Sequence, residues 1–436
     1  MQTKFTEEQL AQPDIARADS ILRKCVHCGF CTATCPTYVV TGDERDSPRG
    51  RIWMIRDLLE NDDADAGVVS HHLDRCLTCL SCTSTCPSGV DYMHLVDIGR
   101  RQSQQRHQRG FMDSLMRRFL VAVLPYAGRA YAALTLGWLF RPLRHVMPKP
   151  VASMLAVAPA KRPRLDPVGS KDQIFNAETF PAKARVVLLA GCAQRAVNPE
   201  INASTIRLLN RIGVEVVVRK QAFCCGAVAH HTGDEHAAEE AMASTIKAWA
   251  NEKKYRKVDA IIINTSGCGT TVKDYGDHFA HDSGLAEDAA MISGMTMDIS
   301  EFLDRFGFND VDMDIEKTNG LSVAYHAACS LQHGQKVKSA PKDLLRKAGF
   351  DVREIADSHL CCGSAGTYNV LQSEIANELK DRKLKSINNA EADIVAAGNL
   401  GCINQLAESK APILHTVQLL DWATGGPKPP EIRSKI

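Results

Sequence analysis

The chain of 436 residues has almost no net charge, with 52 Lys and Arg against 51 Asp and Glu. It therefore has no global positive excess to recruit nucleic acid. Long apolar runs are missing too. The stretch Phe119–Phe140 is interrupted by Pro125, Gly128 and Arg129, and neither half approaches the ~20 residues that cross a bilayer. The opening MQTKFTEEQL shows no basic segment followed by an apolar one, so no secretory signal is expected there. No G-x-G-x-x-G follows a strand pattern and opens a helix, and no G-x4-G-K-[ST] occurs. A nucleophile elbow, H-E-x-x-H and the C-x3-C-x2-C loop of radical enzymes are also absent. Two-electron oxidation of an organic substrate needs a cofactor, and no flavin or nicotinamide site is visible. A second chain is expected to supply it.

What the chain has in excess is cysteine, at 16 residues. Disulfide frameworks belong mainly to short secreted domains, so sixteen thiols in this long chain point to metal. All sixteen fall into two kinds of internal repeat. The first is Cys25-x2-Cys28-x2-Cys31-x3-Cys35-Pro36, repeated 51 residues later as Cys76-x2-Cys79-x2-Cys82-x3-Cys86-Pro87. This is the run of two-cluster bacterial ferredoxins, in which the fourth cysteine of each run ligates the other cluster. The crossed rule gives one [4Fe–4S] cluster to Cys25, Cys28, Cys31 and Cys86, and a second to Cys76, Cys79, Cys82 and Cys35. Paired zinc sites are the alternative, and two complete runs ending in Cys-Pro argue against it. His27, inside the first loop, reads as a surface residue or one that supports the cluster from outside its ligand set.

The second repeat sets Cys192, Cys224-Cys225-Gly226 and Cys268 against Cys329, Cys361-Cys362-Gly363 and Cys402, about 137 residues apart. A period that long reads as domain duplication. Strands are expected at Arg185–Ala190, Val214–Val218 and Ala260–Asn264, and again near Ser322–His326, Val352–Ile355 and Ile394–Ala397. Helical patterns lie between them, and alternation of this kind implies parallel sheets. The cysteines then fall just beyond the carboxyl ends of strands, where open α/β sheets hold ligands. Four thiolates per copy suit a further [4Fe–4S] cluster or a tetrahedral zinc site; a fold whose thiols are merely buried is the third reading. His230, His231, His326 and His333 read as capping or surface side chains.

Between the two kinds of repeat lies a basic segment. Arg100 to Leu165 holds thirteen Lys or Arg against one acid, Asp113. An interfacial helix on anionic lipid has this pattern, as does a linker docking on an acidic partner or a plain helical hairpin. Lys161-Arg162-Pro163-Arg164 reads as the linker onward. The expected class is α+β multidomain: an α-helical ferredoxin-like domain (1–110) with two [4Fe–4S] clusters, a basic helical connector (111–180), and two duplicated α/β domains with short parallel sheets (181–310 and 311–436).

The cysteine-rich repeats resemble the CCG domains of heterodisulfide reductases. They depart from that pattern at Thr271 and Gln405, where a further cysteine is expected, which puts a five-thiolate cluster in doubt. The whole order of parts resembles the iron–sulfur subunits of glycolate oxidase, also called glycolate dehydrogenase. Ala18–Tyr38, Pro48–Ile52 and Asp74–Val90 carry the resemblance most specifically. It implies FAD-binding partner subunits that oxidise glycolate to glyoxylate, a reaction on a CH–OH group with a non-NAD acceptor. The iron–sulfur subunit passes the electrons to a membrane quinone or similar acceptor. It also implies the eight ferredoxin-type cysteines as ligands, no catalytic residue on this chain, and a cytoplasmic place, with peripheral contact at the inner face of the membrane. Rival readings are an electron-transfer subunit for lactate or glycerol 3-phosphate, a catalytic disulfide reductase, and a zinc-stabilised scaffold.

Overall fold

The computed structural model describes residues 1–148, 151, 152, 155, 158, 159, 162–308 and 313–432; Lys161 of the expected linker lies outside them. The chain divides into two compact bodies, Met1–Arg118 with His359–Asp381, and Phe119–Ser358 with Arg382–Ile436.

The first body is helical. Pro13–Lys24, Pro48–Glu60, Ala66–Asp74 and Tyr92–Arg106 bury Ile15, Leu22, Ile55, Leu58, Leu73 and Leu95 together. Local signals start these helices. Pro48 occupies the first helical position, where its missing N–H costs nothing, and Ser47 Oγ accepts from Gly50 N–H at 3.0 Å. Asp65 caps the next helix by accepting from the Gly67 and Val68 amides. Gly99 lets two helices close on each other, because a Cβ there would stand 2.7 Å from Ile55 Cγ1.

The second body holds two sheets. Strands β1 (Gln173–Phe175), β2 (Ala184–Leu188), β3 (Val214–Val218), β4 (Ala260–Ile263) and β5 (Thr296–Asp298) order as β1-β3-β2-β4-β5. Only β1 runs antiparallel, with Ile174 opposite Val217. Strands β6 (Ser322–His326), β7 (Asp351–Glu354), β8 (Ile394–Ala397) and β9 (Ile413–His415) form an all-parallel sheet in the order β7-β6-β8-β9. Every residue of β4, β6 and β8 is buried, as expected of parallel strands covered on both faces. The two copies are tied through Asp421, almost wholly buried, which accepts from Arg207 Nη2 at 2.6 Å and Arg211 Nη1 at 3.1 Å.

The apolar connector forms two helices, Phe111–Val123 and Ala127–Phe140. Pro125 sits at the break, where it can neither donate nor continue a helix. Among the described residues no single helix is long and apolar enough to cross a membrane. Arg129 closes the break by lying 4.3 Å over the Tyr126 ring and donating to Ala122 O at 2.9 Å. Tyr126 stacks on Phe223, beside Cys224.

Two buried groups at strand ends give the stability a pH signature. Asp298 closes β5 and accepts from Ser300 N–H at 2.9 Å; burial lifts its carboxyl to about 6. His415 closes β9 and accepts from Val417 N–H at 3.1 Å; burial lowers it to about 4. The folded state holds the Asp298 proton more tightly than the unfolded chain does. Its contribution is therefore complete below about pH 4 and lost as pH rises through about 6. His415 works the other way: its contribution is complete above about pH 6.5 and lost as pH falls towards 4. The two slopes oppose each other in the same window. Asp298→Asn is expected to expose the His415 slope, a rise of about 3 kcal/mol in unfolding free energy between about pH 4 and 6.5 relative to the unmodified chain. Denaturant titrations across that range measure it, and equal slopes in the two proteins would refute it.

Candidate metal centres

The two ferredoxin-type runs fold alike. His27 and Thr78, 51 residues apart, both take positive φ (54° and 49°), as do Gly29 and Leu80 (84° and 61°). The left-handed turns wrap the loop amides around the thiols, so the sequence repeat is also a backbone repeat. One cavity is lined by Cys25, Cys28, Cys31, Cys86 and Cys82. A second is lined by Cys35, Cys76, Cys79 and Cys82. Cys28 is exposed, whereas Cys76, Cys79 and Cys82 are buried.

The thiols stand close enough to hinder one another's ionisation. Burial and then the neighbouring Cys25 push Cys31 up to about 11. Cys79 is raised by burial and next by Cys361, and Cys82 by burial and then Cys79. Such a set can be anionic together only around a multivalent cation, which is the chemistry of an iron–sulfur ligand set.

Charged and polar groups surround the second set. Burial opposes ionisation of Cys76, but the Arg51 and Arg100 guanidiniums outweigh it and hold the thiol below its ordinary value. Tyr92 Oη donates to Cys76 Sγ at 3.7 Å. Arg51, 1% exposed, donates from Nε to His72 O at 2.8 Å and from Nη2 to Thr37 Oγ1 at 3.1 Å, with Nη1 3.9 Å from Cys35 Sγ. Beneath it, Asp46 accepts from Arg75 Nη1 at 2.9 Å and pairs with His72 Nδ1 at 2.8 Å. Arg100 Nη2 donates to Cys76 O at 2.9 Å. Arg51, Arg100 and Tyr92 were not anticipated from the sequence as site residues. The only signal available was Arg51 within the PRGRI stretch.

In the first cysteine-rich copy the four thiols form a chain of neighbours. Cys192 acts on Cys224, Cys224 on Cys225, and Cys225 on Cys268, each shifting the ionisation of the next. Cys224 is raised by Cys192 and then Cys225, Cys268 is raised by Cys225, and Cys225 between them is lowered. Thr245 Oγ1 and Tyr275 Oη hold the Cys224 and Cys225 carbonyls, each at 3.0 Å. Thr271 turns away to donate to Gly267 O, so it does not stand in for a fifth thiol.

In the second copy, Cys329 and Cys402 belong to the second body, and Asn399 Nδ2 donates to Cys402 Sγ at 3.4 Å. Cys361 and Cys362, both buried, belong to the first body. There Cys361 influences Cys79, and Tyr368 Oη donates to Arg75 O at 3.0 Å. For two histidines the surface alternative is corrected. His326 and His333 are 1% and 8% exposed, because each lies in an element packed into the second copy rather than on its surface.

Both CCG glycines adopt positive φ, 82° at Gly226 and 87° at Gly363. A Cβ on Gly226 would stand 2.7 Å from the movable Met242 side chain and 3.0 Å from the Ala238 backbone oxygen, but one on Gly363 would stand 2.5 Å from the Ala376 backbone oxygen. Gly363→Ala is expected to cost about 2–4 kcal/mol, from strain plus overpacking, and Gly226→Ala about 1–2. Thermal melts of the two variants give the ranking, and a smaller loss at Gly363 would contradict it.

Comparison with known proteins separates the same two kinds of cysteine repeat. A model of the 4Fe-4S dicluster domain matches residues 21–90, and one of the cysteine-rich domain matches 186–273 and 323–407. The glycolate oxidase iron–sulfur subunit of Escherichia coli K12 is 36% identical over 97% of this chain and 99% of its own length. The probable glycolate oxidase iron–sulfur subunit of Bacillus subtilis 168 is 29% identical over 93% of this chain and 94% of its own. Lactate utilization protein A of Geobacillus kaustophilus is 27% identical, over 54% of this chain and 98% of its own. The crystal structure of a hypothetical protein from Helicobacter pylori superposes with a TM-score of 0.57 at 9% identity, over 98% of this chain and 75% of that one, a likeness of fold alone.

Proposed function

Because this chain belongs to the family of glycolate oxidase iron–sulfur subunits, we propose that it relays electrons from a partner flavoprotein that oxidises glycolate to glyoxylate. The recipient in this reading is a membrane quinone or similar acceptor. Bound [4Fe–4S] clusters would supply one-electron storage. Cys25, Cys28, Cys31 and Cys86 would hold one, and Cys76, Cys79, Cys82 and Cys35 the other. The observation that carries the proposal is the pair of cysteine-lined cavities in a chain that lacks any flavin or nicotinamide motif. The first cysteine-rich copy, whose four thiols neighbour one another in a chain, is proposed as a further metal site holding an iron–sulfur cluster or zinc. We keep residues 111–180 as a connector whose basic and apolar side chains give peripheral contact at the inner face of the membrane.

Glycolate is favoured over lactate because the glycolate oxidase relatives align along almost the whole chain, and the lactate utilization relative along about half. The test is anaerobic mixing of the metal-loaded chain with the flavoprotein subunits and glycolate, followed by visible bleaching and EPR. Reduction of the clusters with glycolate, and slower reduction with lactate, is expected. Clusters that dithionite reduces but glycolate with flavoprotein does not would overturn the assignment.

A further inference from the structure

His326 closes strand β6 three residues before Cys329. It is 1% exposed, and neither ring nitrogen has a hydrogen-bond partner among the described residues. A buried imidazole with both nitrogens unmet costs free energy, and this one stands next to a thiol: a ring nitrogen of His326 and Cys402 Sγ lie within 4.8 Å of each other. The sulfur is itself positioned by Asn399 at 3.4 Å.

The duplication sharpens the point. Cys329 answers to Cys192 and Cys402 to Cys268, so the residue that answers to His326 is Leu189, which closes the first copy's corresponding strand region as an ordinary core side chain. One copy thus puts an aliphatic group where the other puts a metal-binding one. Packing alone does not call for the exchange, since leucine fills the equivalent place without an unmet polar atom.

We propose that His326 and Cys402 are ligands of one thiophilic metal centre in the second cysteine-rich copy, making that centre mixed imidazole–thiolate where the first copy is thiolate alone. The metal is iron of a cluster or zinc; both accept imidazole and thiolate together. Binding through one ring nitrogen satisfies it and fixes the tautomer, leaving the other as N–H. An imidazole ligand carries less negative charge than a thiolate. Where iron is bound, the centre would therefore sit at a higher potential than an all-thiolate one, as histidine ligation does in other iron–sulfur centres. The inference adds a residue and a ligand type to the metal sites proposed above and does not depend on which substrate feeds the relay.

The experiment uses the full chain, prepared anaerobically with iron and sulfide supplied, alongside His326→Leu and His326→Gln. Iron, sulfide and zinc are counted. Imidazole coordination is read by pulsed EPR of the reduced iron centres and by X-ray absorption at the zinc edge, which separates the two metals. The expected result is a coordinated-imidazole signal in the unmodified chain that disappears in both variants, while the signals of the ferredoxin-type centres stay in place. Those retained signals show an intact first body, and circular dichroism and thermal melts like those of the unmodified chain show that the second folds as well. An imidazole signal unchanged by either substitution, or none in the unmodified chain, would overturn the inference. So would a Cys402→Ser chain with its full metal complement. Each of these outcomes leaves the eight ferredoxin-type cysteines and the glycolate assay untouched, so the two readings fail separately.

Discussion

Arg51→Met is expected to lower stability by about 3–5 kcal/mol, the usual cost of breaking a buried ion pair from one side. The size follows from what is left behind. Asp46 is 0% exposed and lies 3.5 Å from Arg51 Nη2. Without that guanidinium, Arg75 and His72 alone face the carboxylate, and the His72 carbonyl and the Thr37 hydroxyl each lose a donor. The same substitution removes a positive charge from beside Cys35 and Cys76. A centre held by those thiolates should then be harder to reduce, because net charge and hydrogen bonds at the sulfurs set its potential. Arg51→Lys separates the two effects. It keeps the charge but cannot reproduce the fork that reaches His72 O and Thr37 Oγ1 together, so most of the potential should return and most of the stability should not. Redox titration and denaturant midpoints on the anaerobic protein decide the matter. A potential that falls equally in both variants would show that Arg51 acts through packing rather than charge.

How much of this was legible beforehand depended on how local each signal was. The cysteine runs could be read because ligand spacing within one loop is a property of consecutive residues. Strands β2, β3 and β4 could be read because short runs rich in Val, Ile and Leu between helical patterns have few other uses, and β6, β7 and β8 because the second copy repeats their order; β3, β6 and β8 fall on the expected residues, and β2, β4 and β7 within one or two of them. Strands β1, β5 and β9 have three residues each, too few for a periodicity, and exist because a neighbouring strand offers its edge. The support around the second thiol set was hidden for a different reason. Arg51, His72, Tyr92 and Arg100 are spread over about fifty residues, and only packing of three helices places them near Cys35 and Cys76.

The histidines show the limit most clearly. From its type and its place at the end of a strand pattern, His326 reads as a capping or surface side chain. The strand's own composition, SVAYH with every residue buried, decides otherwise. Comparing the two copies position by position carries that information, since it sets His326 against a buried leucine.

Within the ferredoxin-type runs, the crossed pairing makes the sharpest demand. If Cys25 and Cys86 serve one centre, and Cys76 and Cys35 the other, then loss should depend on partnership in space rather than on neighbourhood in sequence. Cys25→Ser and Cys86→Ser are each expected to remove about four irons and the same EPR signal. The double variant should lose no more than either alone, because both changes abolish one centre. Cys25→Ser combined with Cys35→Ser, ten residues apart on one run, should instead remove about eight irons and both signals. The straight pairing, in which each run serves its own cluster, predicts the reverse, with Cys25 and Cys35 redundant and Cys25 and Cys86 additive. Iron counts and EPR on the four proteins therefore separate the two arrangements, and they bear directly on the cavities. Cys86 lines one with Cys25, Cys28 and Cys31, and Cys35 lines the other with Cys76, Cys79 and Cys82. The proline after each fourth cysteine turns the chain into a new helix at Pro36 and a turn at Pro87, which lets a thiol at the end of one run face the loop of the other.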